Sequence, residues 1–258
     1  MWFRKWRRAR IANRSFPDRW LEIIVRNVPY YKLLPAADRQ ELQRHVLVFL
    51  DEKRFEGCGG LNITDEIKLN IAAQACILLL HRRTDYYPGL SSILVYPQAY
   101  VASETEYLED GTVAEEADVR IGESWHHGSV VLSWDDVRKG AANIRDGRNV
   151  VLHEFAHQID SSAGRGDSSP VLADRRGFAA WASTMQKDYQ KLCRDVRSGS
   201  RTLLDEYGAT NPAEFFAVAT EYFFERSKEL QRIHPQLYGE LKRFYNQDPA
   251  ALAADDGK

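Results

Sequence analysis

Cysteine is scarce in this chain. Cys58, Cys76 and Cys193 are widely separated, and no C-x-x-C occurs in the 258 residues. Neither a disulfide framework nor a cysteine zinc knuckle is expected, and scattered thiols fit a reducing, cytoplasmic setting. Long apolar runs are missing too. The longest, Ile71 to Leu80, is too short for a bilayer, which takes about 20 residues in a helix. A strong charge of one sign is also absent. With 35 Lys and Arg against 37 Asp and Glu, the formal charge is −2, which implies no global attraction to nucleic acid.

The start of the chain departs locally from that balance. Arg4, Lys5, Arg7, Arg8, Arg10 and Arg14 precede the first acid, Asp18, and Trp2, Phe3 and Trp6 lie among them. Ile11-Ala12-Asn13-Arg14 breaks off where a signal peptide would need its apolar core, so export is not expected. A basic, aromatic segment can touch a membrane surface or nucleic acid. The favoured reading is a flexible terminus over residues 1–16, one domain over 17–250 and a flexible tail over 251–258.

What is present centres on Val150-Val151-Leu152-His153-Glu154-Phe155-Ala156-His157-Gln158. Positions i and i+4 share a helix face, so His153 and His157 can converge on one ion. Glu154 is turned about 100° from His153 and is free to act on a water instead. This is the H-E-x-x-H arrangement of zinc hydrolases. Chance would produce the pattern in a chain of this length at a rate of roughly one per cent. Here it sits among Val150, Val151, Leu152, Phe155, Ala156 and Ile159, the sequence of a buried helix. Two His and a Glu are costly there unless something pairs with them, and a metal does so.

Periodicity outlines the surroundings. Helices are expected over Pro17 to Val28, Pro35 to Arg54, a segment capped by Thr64, Gly177 to Arg194, a segment opened by Asn211-Pro212, and Pro235 to Tyr245. On the second of these, Lys53 is assigned to the water-facing side with Glu41, Arg44 and Asp51. Ser92 to Tyr96 and Gly128 to Trp134 read as strands, the latter placed as an edge that could align a peptide. Tyr100-Val101 can extend the sheet, residues 103–119 read as an irregular acidic loop, and Asp135 or Asp136 as the cap of a short helix. His126 and His127 read as surface loop residues. The fold class expected is α+β, a small mixed sheet on a mainly helical body.

Zinc catalysis needs a third protein ligand and an open position. Position 160 is Asp and 163 is Ala, which excludes the short H-E-x-x-H-x-x-G-x-x-H pattern. A carboxylate from a later helix is the alternative. Glu214 and Glu221, seven residues apart among Phe, Ala, Val and Tyr, lie on nearly the same face, and chemistry alone leaves both open. Pairing with an arginine such as Arg175 or Arg226 would be the purely structural explanation of either.

Tyr207-Gly208-x-x-Asn211-x-Ala213-Glu214-Phe215-Phe216-Ala217, following His153-Glu154-Phe155-Ala156-His157, resembles the catalytic domain of anthrax lethal factor. Over nearly its full length, including Ser133-Trp134 and the run Asn211 to Glu221, the chain resembles the Mlc titration factor A family of bacterial zinc peptidases. The resemblance implies a zincin-like fold of gluzincin type and one Zn²⁺ held by His153, His157 and Glu214. It also implies Glu154 as catalytic base and Tyr207 near the reacting carbonyl. It further implies a peptide substrate cut in aminopeptidase-like fashion, and a regulatory role in the glucose phosphotransferase system through binding the Mlc repressor. That binding could be the physiological role without proteolysis. One departure is visible: Val218 stands where the lethal factor pattern has a second acid, which leaves Asp160 and Glu221 as substitutes.

Overall fold

Prolines mark where the first helices begin. The structure, a computed structural model, describes residues 2–98, 100–107, 113–120, 122–125, 128–162 and 175–252. Helix α1 is Trp2–Ala12, α2 Asp18–Asn27, α3 the single turn Tyr30–Leu33, and α4 Ala36–Glu52. Pro17, Pro29 and Pro35 directly precede α2, α3 and α4, where a missing N–H breaks no helical bond. Thr64 caps α5 (Asp65–Ile77), accepting from the Ile67 N–H at 3.3 Å. Helix α5 is buried nearly all round, Asn70 and Gln74 included. Their side-chain NH₂ groups donate to carbonyls one turn back, Glu66 O and Asn70 O.

Strands β1 (Arg54–Gly57), β2 (Ser92–Tyr96), β5 (Gly122–Trp125) and β6 (Ser129–Ser133) form one sheet in the order β1-β2-β6-β5. The pairs β1–β2 and β2–β6 are parallel, whereas β5–β6 is antiparallel, so the sheet is mixed. Helices α6 (Trp134–Ala142), α7 (Val150–Ser162), α8 (Arg175–Arg197), α9 (Pro212–Glu225), α10 (Ser227–Ile233), α11 (Pro235–Tyr245) and α12 (Pro249–Leu252) complete the described chain, with a 3-10 turn at Glu206–Ala209. The α+β class expected from the sequence holds. One continuous core of buried hydrophobic side chains runs from Ile11 to Tyr245. At its centre the Phe155 ring lies 4.8 Å from Tyr87 and 5.7 Å from Phe49, fixing the inner face of α7.

Several expectations are corrected. The strand around Gly128 to Trp134 is internal: β6 lies between β2 and β5, and the edges of the sheet are β1 and β5. Residues 103–119 are not simply irregular, because β3 (Tyr100–Tyr107) and β4 (Val113–Arg120) pair antiparallel as a separate two-stranded unit. The cap of α6 is Ser133, whose hydroxyl accepts from the Asp136 N–H at 3.4 Å. Strand β1 carried too few residues to signal itself. Lys53 is buried, not water-facing, because the chain leaves the helix there. Its ammonium donates to Tyr87 O at 2.8 Å and Leu90 O at 2.6 Å.

The basic terminus is a helix packed on the body. Ile11 is buried. The Arg8 guanidinium reaches both Glu52 oxygens at 2.7 Å and Asp85 Oδ1 at 2.5 Å, and Arg7 reaches Asp51 at 2.6 Å. Bidentate pairing of a largely buried arginine anchors α1, which composition could not reveal because the acids come from α4 and a later loop. Phe3 and Trp6 remain on the outer side, exposed. Of the tail expected over 251–258, Ala251 and Leu252 end α12 and the rest lies outside the described residues, as do His126 and His127.

Candidate metal centre

The lead into α7 is held before the motif begins. Gly147 has φ +78°, and a Cβ there would lie 2.8 Å from the Tyr222 ring, so glycine is required by both conformation and space. The N–H groups of Gly147 and Arg148 donate to Glu225 Oε2 at 3.1 and 3.2 Å, and that of Asn149 to Glu221 Oε2 at 2.5 Å. Asn149 caps α7 from its side-chain oxygen, which accepts from Val151 N and Leu152 N, both at 3.1 Å. Its Nδ2 donates to Gln74 Oε1 at 2.8 Å and Glu225 Oε1 at 3.0 Å. Residues 147–149 therefore form a clamp joining α5, α7 and α9.

Helix α9 begins with Asn211, whose side chain accepts from Ala213 N and Glu214 N, and with Pro212 in its first turn. It turns Glu214, Glu221 and Glu225 toward α7. Glu214 Oε2 lies 2.9 Å from His153 Nε2 and 3.4 Å from His157 Nε2, and the two Nε2 atoms are 3.2 Å apart. Three donor atoms thus lie within 4.8 Å of one another. One proton can bridge the two facing imidazole nitrogens, but it leaves the Glu214 carboxylate, close to both, to compete for the same positions. A single divalent cation accepting from both and from the carboxylate satisfies all three, so the donor set fits zinc. Glu221 Oε1 meets the opposite nitrogen of His153, Nδ1, at 2.7 Å, the way a carboxylate orients a metal-binding imidazole. The sequence left Glu214 and Glu221 open, and the fold separates them. Arg226 pairs instead with Glu229.

Charge in the cluster is concentrated and mostly buried. Burial opposes the imidazolium form of His153, but the Glu214 and Glu221 carboxylates outweigh it and push its pKa up to about 10. Burial also disfavours the Glu214 carboxylate, yet His153 and His157 hold it down to about 2. For Glu221, 6% exposed, burial wins over the pull of His153 and the pKa is raised. Glu154 is buried on the same helix at 4% exposure.

Tyr207 stands at the rim on the 3-10 turn, 56% exposed, with its ring 5.9 Å from that of His153. Asp205 Oδ1 caps the turn by accepting from Tyr207 N at 3.1 Å. A Cβ on Gly208 would lie 3.2 Å from Leu192 and 3.4 Å from Val218, so a side chain at 208 would lift the turn. Val218 thus packs against the 3-10 turn at Gly208, and the acid beside His153 is Glu221. Asp160 is exposed, within electrostatic reach of His157. The remaining described histidines pair elsewhere: His45 with Glu41 and Tyr86, His81 with Asp38, and His234 with Asp188.

An H-E-x-x-H helix met by a later-helix glutamate places the chain among metallopeptidases, and comparison with known proteins agrees. The chain belongs to the glucose-regulated metallo-peptidase M90 family, whose model matches residues 3–246. An uncharacterized protein of Synechocystis, slr2042, is 40% identical over 245 residues, covering 95% of this chain and 89% of that protein. Mlc titration factor A of Serratia proteamaculans is 33% identical over 225 residues, 85% of each chain. Mlc titration factor A of Klebsiella pneumoniae is 30% identical over 232 residues, covering 89% of this chain and 87% of its own. The resemblance to the Mlc titration factor A family, read over nearly the full length of the sequence, therefore holds. No helix among the described residues is long and apolar enough to cross a membrane.

Proposed function

We propose that this chain is a zinc-dependent peptidase acting on short peptides in aminopeptidase-like fashion, from a single domain over residues 17–250 with α1 packed against it, in the cytoplasm. The observation that carries the reading is the convergence of His153, His157 and Glu214 from two helices. These three would hold the ion. Zinc in such a set supplies Lewis-acid polarisation of a scissile carbonyl and of water. The protein's own groups handle the protons. Glu154, one residue from His153, takes the proton of the attacking water and returns it to the leaving amine. Tyr207, exposed at the rim, can swing its O–H onto the carbonyl oxygen as that atom gains charge. Glu221 fixes the His153 ring through Nδ1. Strand β5, the sheet edge next to α7, offers N–H and C=O groups for an extended substrate.

The test is metal content with turnover of amino-acid anilides. One zinc per chain and chelator-sensitive cleavage are expected. Glu154→Gln should keep the zinc and lose roughly 10²–10⁴ in rate. Unchanged turnover in that variant removes Glu154 as the base.

The name of the relatives supports a second, regulatory reading: this chain also binds the Mlc repressor. Repressor binding that survives Glu154→Gln would show a role separable from hydrolysis. Absence of binding by wild-type chain to purified repressor would reject it.

A further inference from the structure

A cavity of 460 Å³ opens beside β1, with Lys53, Arg54, Phe55, Glu56, Lys68 and Ser92 on its wall. It is built by the α4–β1 junction, α5 and the start of β2, and none of its lining residues lies on α7 or α9. Three of those side chains are cationic and one is acidic, in a chain whose net charge is −2. Nearby cations are held by acids, Arg8 by Glu52 and Asp85 and Arg7 by Asp51. Arg54 and Lys68 have no ion-pair partner among the described residues. Lys53 is 8% exposed, and its ammonium donates only to carbonyls, which bring no counter-charge. Its sequence neighbour Glu52 is engaged by Arg8. Burial accordingly drags Lys53 down to about 8. The recess is short of negative charge.

We propose that this cavity binds a small polyanion, a metabolite carrying phosphate or clustered carboxylate groups. The Arg54 fork suits planar or tetrahedral oxyanions, Lys68 and Lys53 add point charges, and Ser92 adds a hydroxyl. The volume is that of a small-molecule pocket. Phe55 supplies an apolar wall for the carbon frame. Three cations call for more than one negative charge, while Glu56 disfavours a long polyanion lying across the rim. Because no residue is shared with the His–Glu cluster, the anion would bind as a separate ligand and not as a substrate analogue.

Calorimetry on the full chain tests this, with fructose 1,6-bisphosphate and tricarballylate as phosphate and carboxylate probes, fructose as the uncharged control, and ionic strength held with sodium chloride. One saturable site per chain for at least one anion, and none for fructose, is expected. Which anion binds more tightly identifies the headgroup chemistry. Arg54→Ala/Lys68→Ala should weaken binding at least about tenfold, and Arg54→Lys/Lys68→Arg should restore most of it. Both positions are at or near the surface, and matching circular dichroism spectra establish that the variants fold. Equal affinity in the alanine double variant would place the anion elsewhere, for example at the His–Glu cluster, and overturn the proposal. So would the lack of saturable binding of either anion to wild type up to about 10 mM.

Discussion

His153 is gripped at both ring nitrogens, by Glu214 at Nε2 and Glu221 at Nδ1. Glu221 accepts at its other oxygen from Asn149 N, so it cannot turn away without leaving a buried donor unpaired. That rigidity matters for a ligand, because a loosely held imidazole loses entropy on binding an ion. Glu221→Gln is expected to weaken zinc binding by roughly 10–100-fold, read by competition with a chromophoric chelator. An unchanged affinity would reduce Glu221 to a packing role. Tyr207 presents the opposite case. It is exposed and contributes little to the core. Tyr207→Phe should leave the thermal midpoint where it is and lower kcat by roughly 10²–10³ with little effect on KM. A wild-type kcat would remove its hydroxyl from the reaction.

The motif helix is useful only if its first turn cannot drift, and its N-terminus is held more firmly than an ordinary cap requires. Asn149 makes bonds to α5, to α9 and to two N–H groups of α7. Asn149→Ala removes the cap and strands Gln74 and Glu225, at a cost of about 2–4 kcal/mol in urea unfolding. Asn149→Asp keeps the capping oxygen but turns an acceptor toward the Glu225 and Gln74 oxygens, so it should not recover that stability. If both variants unfold like wild type, the clamp is redundant. Neighbouring Glu225 shows what this tying costs. Burial pushes its carboxyl up to about 9, although Asn149 and Gly147 donate to it and pull the other way.

Lys53 ties the helical layer to the sheet, since it ends α4, precedes β1 and bonds the loop that delivers β2. Its folded pKa of about 8 lies below the ordinary lysine value of 10.5. Between those values the unfolded chain holds more protons than the folded one, so the Lys53 contribution to stability rises with pH. The unfolding free energy of wild type relative to Lys53→Met should increase by about 2 kcal/mol from pH 8 to pH 10. A pH-independent difference would mean that the ammonium is not desolvated. Above this window the buried Tyr30 and Tyr245 hydroxyls, held above their ordinary pKa by burial, act in the opposite sense as the unfolded tyrosines ionise.

Local chemistry made much of this protein legible in one dimension. The four-residue spacing of His153 and His157, the apolar flanks of α7, the Thr64 cap, and the Asn211-Pro212 start of α9 depend on near neighbours in sequence, and the folded chain shows each of those elements. What depended on distant partners was not legible. Tertiary packing decided that β6 is internal, that Arg8 finds Glu52 and Asp85, that Lys53 is buried, and that Asn149 is a clamp. It also decided between Glu214 and Glu221, which share one helix face and nearly the same surroundings in sequence. The height of α9 against α7 set one carboxylate at the Nε2 pair and the other behind His153. Periodicity tells which face of a helix looks inward, but the axial offset between two helices comes from how their side chains interlock.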